Sequence, residues 1–357
     1  MMAPERVQQI TLLLLALAIG IGIVMTPLSM RLAKRFGFID TPDDDRRMHT
    51  KPVPCFGGFA IIIAFAASIL ICEKLVLARF HWPFDAPASI DKLNAALIGG
   101  IVMFVIGAVD DRRNLRWRVK LGGQAASAVI AFALGVRIPA FTVLGWHFDT
   151  DSPVSFILTV LWIVAITNMI NLIDGLDGLA AGVSGIAALA IGYSAYINGL
   201  YVVTFSMIIL AGAALGFLPF NFHPARSFMG DGGAMFLGFM LAGISIIGPA
   251  KGATIMAVIA PVLVLGVPVF DVAFAMFRRA VKGRPIFAPD KGHLHHQLAR
   301  IGIGQRRSVL MLYGISGIMG IAAIVFTRDL YLEAAGLFLI AVVFILVLIW
   351  GWNKPKN

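Results

Sequence analysis

Long apolar blocks constrain this chain more than any other feature of its sequence. Many of them approach the roughly 20 residues that a helix needs to cross a bilayer. Hydrophobic residues make up 59% of the 357 residues and charged residues only 13%, whereas ordinary soluble domains carry about 25% charged residues. The sequence therefore predicts an all-α polytopic membrane protein.

We predict eleven transmembrane helices within a single integral-membrane domain that covers residues 1–357. The first apolar block is too long for the core of a signal peptide, and no small-residue cleavage site precedes the basic loop after it. We therefore interpret this block as an uncleaved first span. The predicted spans cover residues 10–30, 56–78, 94–109, 120–136, 154–170, 178–197, 200–218, 233–248, 253–277, 308–326 and 332–351.

Lysine and arginine are distributed unevenly between the two sets of loops that these spans separate. The loops after spans 1, 3, 5, 7 and 9, together with the C-terminal tail, hold 22 of the 29 basic residues. The positive-inside rule places this set in the cytoplasm, with the N-terminus outside and the C-terminus cytoplasmic. The net charge of +10 then mostly reflects orientation, with a smaller contribution to binding anionic lipid headgroups, and we expect no nucleic-acid partner.

Unusual polar residues gather on the same predicted cytoplasmic side. The segment NMINLIDGLDGL, between two apolar blocks, places Asn168, Asn171, Asp174 and Asp177 at every third position. The other groups are Asp110 and Asp111 after span 3, Asn221 and Asp231 between spans 7 and 8, and His293, His295 and His296 between spans 9 and 10. Because the topology was assigned from lysine and arginine alone, this agreement is independent information.

Each group also has a structural interpretation, since aspartates often end a solvated helix, Asn or Asp often caps one, and histidines often lie in polar loops. Ionisable groups at membrane depth nevertheless cost roughly 2.5–3.5 kcal/mol each at a helix centre and usually mark function. Asp174 and Asp177 have no Lys or Arg near them in the sequence, because residues 138–225 contain none. Their charge therefore needs a partner from elsewhere, such as a divalent cation.

The spacing of these residues suggests what the partner is. Residues three apart on a helix share a face, so the four residues that begin at Asn168 would form a curved stripe. Hard oxygen ligands suit Mg²⁺, which typically combines one or two carboxylates with substrate phosphates. Together with the basic loops, the stripe indicates a nucleotide or diphosphate substrate.

Five motifs resemble, in order, those of the polyprenyl-phosphate N-acetylhexosamine-1-phosphate transferases. They are VDD, NMINLIDGLDGLAAG, FMGDGGAMFLG, PVFDV and PDKGHLHHQL. The resemblance covers most of the chain and implies transfer of a sugar-1-phosphate from a UDP-sugar to a membrane polyprenyl phosphate, with release of UMP. The GHLHH form resembles the branch that uses UDP-GlcNAc at the start of O-antigen, common antigen or teichoic acid linkage synthesis. The branch that makes the first lipid intermediate of peptidoglycan typically has three consecutive histidines.

The resemblance also implies a setting and partners. We expect an enzyme of the bacterial inner (cytoplasmic) membrane with its active site on the cytoplasmic face. It would depend on Mg²⁺, with Mn²⁺ as a substitute, and would use undecaprenyl phosphate as acceptor and UDP-GlcNAc as the favoured donor. A homodimer is left open.

Roles for individual residues follow from the resemblance. Asp231 would bind the metal, while the catalytic pair Asp110 and Asp111 would organise the acceptor phosphate or the metal. A phosphate monoester is already largely ionised near pH 7, with a second pKa of about 6, so both direct attack and a covalent phospho-sugar enzyme stay open. The substrate-binding residues would be Lys51, Asn168, Asn171, Asp174, Asp177, Asn221, Phe228, Arg284, His293, His295 and His296.

The chain departs from the family pattern at Cys55, where Arg is frequent, and at Ala234, which replaces a hydroxyl residue. Two other functions stay as alternatives. One is phospho-MurNAc-pentapeptide transfer in peptidoglycan synthesis, and the other, from a different class, is membrane transport. A transporter would place its polar residues along a path through the midplane and would release no UMP. Span 9 contains Pro261 and Pro268, which predict a kink that either opens a groove for the polyprenyl tail or is merely structural.

Overall fold

The computed structural model describes residues 4–41, 52–74, 86–143, 146–247, 262–266, 269–270, 279 and 304–352. These residues form ten helices of at least 16 residues and two short antiparallel strand pairs. The helices are α1 Pro4–Phe36, α2 Gly57–Cys72, α3 Ala86–Arg113, α4 Trp117–Ala133, α5 Pro153–Ile173, α6 Leu179–Ile197, α7 Tyr201–Asn221, α8 Gly230–Ser245, α9 Gln305–Phe326 and α10 Tyr331–Trp352. Strand β1 (Ile39–Asp40) pairs with β2 (Val53–Pro54), and β3 (Phe141–Val143) pairs with β4 (Trp146–Phe148).

The helices confirm an all-α polytopic membrane protein. Each described helix lies at the position of one predicted span, and most of the predicted ninth span, 253–277, lies outside the described residues. Within the described part of the chain, α1, α3, α5, α6, α7 and α9 are long and apolar enough to cross a membrane. The count of eleven spans and the orientation of the termini stay predictions.

Helix α8 lies at the centre of the bundle. All of its residues except Asp231 and Ser245 are buried. A Cβ atom on Gly58 of α2 would lie 2.3 Å from the Cα of Gly233, and one on Gly107 of α3 would lie 2.5 Å from the Cα of Gly232. These glycines let α2 and α3 pack directly on the backbone of α8 where it begins, and so bring Asp231 next to the end of α3.

The predicted helical stripe is wrong in its second half, because α5 ends at Ile173. Asp174 is the C-terminal cap residue of this helix, with φ −75° and ψ 34°. Gly178 then adopts φ +83° before α6 begins, a left-handed conformation that glycine adopts without steric cost. Asn168 and Asn171 are therefore on a helix, whereas Asp174 and Asp177 lie in the turn between α5 and α6.

Candidate active site

One end of the helix bundle contains a recess of about 760 Å³. Its walls come from the ends of α1, α3 and α7, the beginnings of α8 and α9, β1, β2 and the turn between α5 and α6. The recess is lined by seven of the residues that the sequence singled out: Asp110, Asp111, Asp174, Asp177, Asn221, Phe228 and Asp231. The structure thus collects at one end of the bundle the polar residues of three segments that are far apart in the sequence.

A lysine that the sequence analysis did not select connects these segments. The Lys120 Nζ atom, at the beginning of α4, lies 2.8 Å from Asp110 Oδ2 and forms a second ion pair with Asp231 Oδ2. It also donates to Asn171 Oδ1 at 3.0 Å. Asn171 in turn donates from Nδ2 to Asp231 Oδ1 at 2.9 Å. Four helices therefore meet in one polar network, and both carboxylate oxygens of Asp231 have a donor.

Asp111 holds the beginning of α8. Its carboxylate accepts from the backbone N–H of Asp231 at 2.8 Å and from that of Gly232 at 3.3 Å, as an N-terminal cap does. Gly230 has φ +76°, and a Cβ there would lie 2.6 Å from Asp111 Oδ2. The glycine in front of Asp231 is thus required both by the backbone conformation and by the approach of Asp111, which fixes where the Asp231 side chain begins.

Asp110 is almost completely buried, with 8% of its surface exposed. Besides the ion pair with Lys120, its Oδ1 atom accepts from the backbone N–H of Leu115 at 2.7 Å. Both oxygens therefore have partners in this structure. Asp110 is thus placed to orient Lys120 in addition to any contact that it makes with substrate.

Asp174 has the least compensated charge in the recess. It keeps a small exposed surface, and its carboxylate makes no hydrogen bond or ion pair with another described residue. Burial raises the pKa of the Asp174 carboxyl well above its usual range, and the nearby carboxylates of Asp231, Asp111 and Asp177 raise it further. An additional cation in the recess would relieve this crowding.

Asp177 is held by the loop after α7. His223 Nδ1 lies 2.8 Å from Asp177 Oδ2, and the backbone N–H of Ala225 donates to the same oxygen at 3.1 Å. His223 also lines the recess. The pair gives the recess an imidazole next to a carboxylate, close to where the turn between α5 and α6 meets α7.

Asn221 and Tyr313 fix that turn from two sides. Asn221, only 2% exposed, accepts from the backbone N–H of Gly178 at 3.1 Å and donates to the Ser227 carbonyl at 3.0 Å. The Tyr313 hydroxyl, from α9, donates to the carbonyl of Gly178. The amide of Asn221 is therefore used to join two backbone segments, which makes it a positioning residue for the recess.

Two further predicted residues occupy different surroundings. Asn168 exchanges amide hydrogen bonds with Gln124 of α4, at 2.6 and 3.2 Å, and does not line the recess. Phe228 lines it half-buried, and its backbone bonds to Pro54 and Gly57, at 2.8 and 2.9 Å, tie the loop after α7 to the beginning of α2. Their roles toward a substrate stay predictions.

The remaining predicted residues, Lys51, Arg284, His293, His295 and His296, lie outside the described residues, as do Pro261 and Pro268.

Cys55, at the position where the family often has Arg, also lines the recess. Burial raises the pKa of its thiol, and the carboxylates of Asp111, Asp40, Asp174 and Asp231 raise it further. The thiol is thus kept protonated in a strongly anionic surrounding. An arginine here would compensate part of that negative charge.

The oxygen atoms of the recess fit Mg²⁺. Among the described residues, no three His, Cys, Asp or Glu side chains are close enough to form a metal site alone. Mg²⁺ usually takes only one or two carboxylates and completes its shell with water and substrate phosphates. Asp231 and Asp174 face the same recess, and the crowding of carboxylates around Asp174 is of the kind that a divalent ion neutralises.

Sequence reasoning missed three residues that organise the recess: Lys120, His223 and Tyr313. Lys120 carries a signal, because a basic residue begins an apolar block there, but the positive-inside rule gives such a residue only a topological meaning. His223 lies two residues after Asn221, in the same polar segment between spans 7 and 8. Tyr313 lies inside an apolar block, where nothing in the sequence separates it from an ordinary packing residue.

Several known proteins are similar to this chain over most of its length. The family model described as "Glycosyl transferase family 4" matches residues 93–249. A Bacillus subtilis protein named probable undecaprenyl-phosphate N-acetylglucosaminyl 1-phosphate transferase is 36% identical over 335 residues, which are 91% of this chain and 86% of that protein. A Mycobacterium tuberculosis decaprenyl-phosphate N-acetylglucosaminephosphotransferase is 36% identical over 82% of this chain and 76% of its own length. A Thermotoga maritima undecaprenyl-phosphate alpha-N-acetylglucosaminyl 1-phosphate transferase is 30% identical over 83% and 84%.

Proposed function

The chain belongs to the family of polyprenyl-phosphate N-acetylhexosamine-1-phosphate transferases and is a multi-pass membrane glycosyl-1-phosphate transferase, and on that premise we propose its reaction. It transfers GlcNAc-1-phosphate from UDP-GlcNAc to undecaprenyl phosphate, giving undecaprenyl-diphosphate-GlcNAc and UMP. The reaction depends on Mg²⁺ and takes place on the cytoplasmic face of the bacterial inner membrane. It is the first membrane step of a cell-surface polysaccharide.

The observation that carries this proposal is the meeting of Asp110, Asp111, Asp174 and Asp231 in one recess at one end of the bundle, where Lys120 pairs with Asp110 and Asp231. A path for transport through the midplane would instead need polar groups at mid-depth. The recess also belongs to the loops that hold most lysines and arginines, which supports a cytoplasmic position.

The chemistry joins two anions. An oxygen of the acceptor phosphate attacks the β-phosphorus of UDP-GlcNAc, a new P–O bond forms, and the bond from that phosphorus to the bridging oxygen breaks, so that UMP leaves with the electron pair. Such reactions are catalysed mainly by positioning and charge neutralisation. Mg²⁺, when bound, would neutralise the diphosphate and stabilise the charge that develops on the leaving UMP.

The residues of this chain divide that work. Asp231 and Asp174 would hold the metal, and Asp111 keeps Asp231 in place through its two backbone hydrogen bonds. Asp110 keeps the ammonium group of Lys120 next to Asp231. Because the acceptor phosphate is already largely ionised near neutral pH, Asp110 need not remove a proton from it.

The donor assignment rests on the names of the relatives, which specify N-acetylglucosamine in Bacillus subtilis, Mycobacterium tuberculosis and Thermotoga maritima, and on the GHLHH form of the histidine motif. No observation favours the peptidoglycan substrate over this one.

The test is UMP release by purified protein with undecaprenyl phosphate and Mg²⁺. The donors compared are UDP-GlcNAc, UDP-GalNAc and UDP-MurNAc-pentapeptide. We expect release with UDP-GlcNAc only when acceptor and metal are both present. Release with UDP-MurNAc-pentapeptide alone would move the chain to the peptidoglycan branch, and no release with any donor would contradict the proposed reaction.

A further inference from the structure

We propose that Lys120 is the resident cation of Asp231 in the ligand-free protein, and that it must leave Asp231 when a divalent cation binds there. The inference rests on the proposed function only in taking Asp231 as the metal ligand. It concerns a residue that the resemblance did not select, and it makes metal binding an exchange of one cation for another.

The coordination of the ammonium group is the first observation. Lys120 Nζ contacts Asp110, Asp231 and Asn171, and an ammonium group has three N–H donors. All three are therefore used. The Lys120 side chain is only 18% exposed, so this charge is stabilised mainly by the protein and little by water.

The state of Asp231 is the second observation. One of its oxygens is bound by Lys120 and the other accepts from Asn171 Nδ2 at 2.9 Å. A metal ion at Asp231 needs at least one of these oxygens. A metal ion on either oxygen would lie close to the ammonium group of Lys120, and two neighbouring cations repel each other strongly in a partly desolvated site. Lys120, rather than the neutral amide of Asn171, is therefore the group that gives way.

Asp110 makes the exchange feasible. It is bound to Lys120 at 2.8 Å and is itself fixed by the backbone N–H of Leu115. A lysine side chain has a flexible four-carbon stem, so Lys120 can release Asp231 and Asn171 while it stays paired with Asp110. The ammonium group then remains beside Asp110, which lines the recess, close to where anionic substrate groups would bind.

The rival explanation is a permanent ion pair that shapes the metal site. The two explanations predict opposite changes in metal affinity when the charge of Lys120 is removed. A permanent pair that shapes the site would make metal binding weaker in the variant. An exchange would make it tighter, because the metal no longer competes with an internal cation.

The experiment measures Mn²⁺ binding by electron paramagnetic resonance in purified, substrate-free protein. We expect Lys120→Met to bind Mn²⁺ at least about tenfold more tightly than the wild type, which corresponds to about 1.4 kcal/mol. We also expect a lower melting temperature without metal and a larger stabilisation by metal. Equal or weaker affinity would overturn the proposal. Lys120→Gln, which keeps a hydrogen-bond donor, replaces the methionine variant if that one does not fold.

Two controls make the result specific. Arg112→Met removes a positive charge from an exposed side chain that lines the same recess, and screening by solvent and salt should limit its effect to about threefold or less. An increase equal to that of Lys120→Met would overturn the proposal in favour of a general field effect. In Lys120→Met/Asp231→Asn the tighter binding should disappear, and its persistence would also overturn the proposal. Because none of these measurements uses substrate, their failure is distinct from a failure of UMP release.

Discussion

At the scale of single residues, five of the six aspartates that line the recess differ in what compensates their charge. Asp110 and Asp231 share Lys120, and Asp111 accepts backbone N–H groups of α8. Asp177 has His223 and a backbone N–H, whereas Asp174 has no described partner. A substitution by asparagine therefore has a different consequence at each position, although the five residues are of one type and line one recess.

Asp231→Asn tests the metal ligand. The variant should fold, because Asp111 still binds the backbone at the beginning of α8 and Lys120 still has Asp110. Loss of a metal contact should lower Mg²⁺-dependent UMP release on the order of a thousandfold. The measurement is turnover against Mg²⁺ concentration, with size-exclusion and melting profiles as the folding control. Near-normal turnover at limiting Mg²⁺ would show that Asp231 is not the ligand.

Asp174→Asn should raise the stability of the ligand-free protein near neutral pH. An aspartate in the unfolded chain has a pKa of about 3.9, and the folded pKa of Asp174 is raised. The folded state thus keeps a proton that the unfolded chain has released, so stability falls as pH rises from about 4 through the folded pKa. Asparagine removes this loss. The melting temperature of the variant should therefore exceed that of the wild type by an amount that grows with pH.

Asp177→Asn is the matched control, because the same change here weakens hydrogen bonds that Asp177 accepts. It should lower stability by about 1 kcal/mol.

The Asp174 variant should also lose the stabilisation that UDP-GlcNAc with Mg²⁺ gives to the folded protein. A lowered melting temperature with a full ligand shift in Asp174→Asn would mean that this residue only ends the helix.

At the scale of elements, the position of α8 depends on backbone-to-backbone contacts that are too close to leave room for a side chain. The first turn of α8 carries Asp231, and the next two residues, Gly232 and Gly233, contact Gly107 of α3 and Gly58 of α2. The distance between these backbones decides how far Asp231 lies from Asp110 and Lys120. The geometry of the recess is thus set by helix packing as much as by the polar residues themselves.

Gly58→Ala tests this dependence. The new Cβ would lie 2.3 Å from the Cα and 2.6 Å from the backbone nitrogen of Gly233, so α2 and α8 must separate. We expect a loss of about 1–3 kcal/mol in stability, typical of overpacking, and reduced UMP release from the protein that folds. Gly314→Ala in α9 is the control, since nothing lies within 4 Å of its added Cβ. Equal effects of the two substitutions would contradict the packing explanation.

At the scale of the whole molecule, the recess and the described parts of the basic loops lie at the same end of the bundle, which predicts a cytoplasmic active site. Exposed Asn198, between α6 and α7, belongs to the opposite set of loops, whereas exposed Asn114 lines the recess. Three predicted spans separate these two residues, so we expect them on opposite sides of the membrane. The positive-inside rule predicts that Asn114 is on the cytoplasmic side.

Cysteine labelling in intact cells tests this orientation. In a background with Cys55→Ala and Cys72→Ser, Asn198→Cys should react with a membrane-impermeant maleimide, and Asn114→Cys should react only after the membrane is permeabilised. Retained UMP release shows that the background protein is native. The reverse labelling pattern would overturn the orientation and the cytoplasmic position of the active site.

The positions of the described helices and the identity of most polar residues of the recess follow from the amino-acid sequence alone. Hydropathy is a local property, and the thickness of a bilayer fixes how long an apolar block must be, so span positions could be derived from the chain alone. The motifs were long enough to indicate the family, which the relatives then confirmed.

The pairing of the polar residues, in contrast, is visible only once the helices are packed. Lys120 meets Asp231 across 111 positions in the sequence, and Asn221 uses its amide on backbone groups and so positions the recess. Asn168 bonds to Gln124, and α5 ends before Asp174. The physical reason is that hydrogen bonds and ion pairs depend on which helix faces pack together, and a regular apolar pattern leaves that choice open.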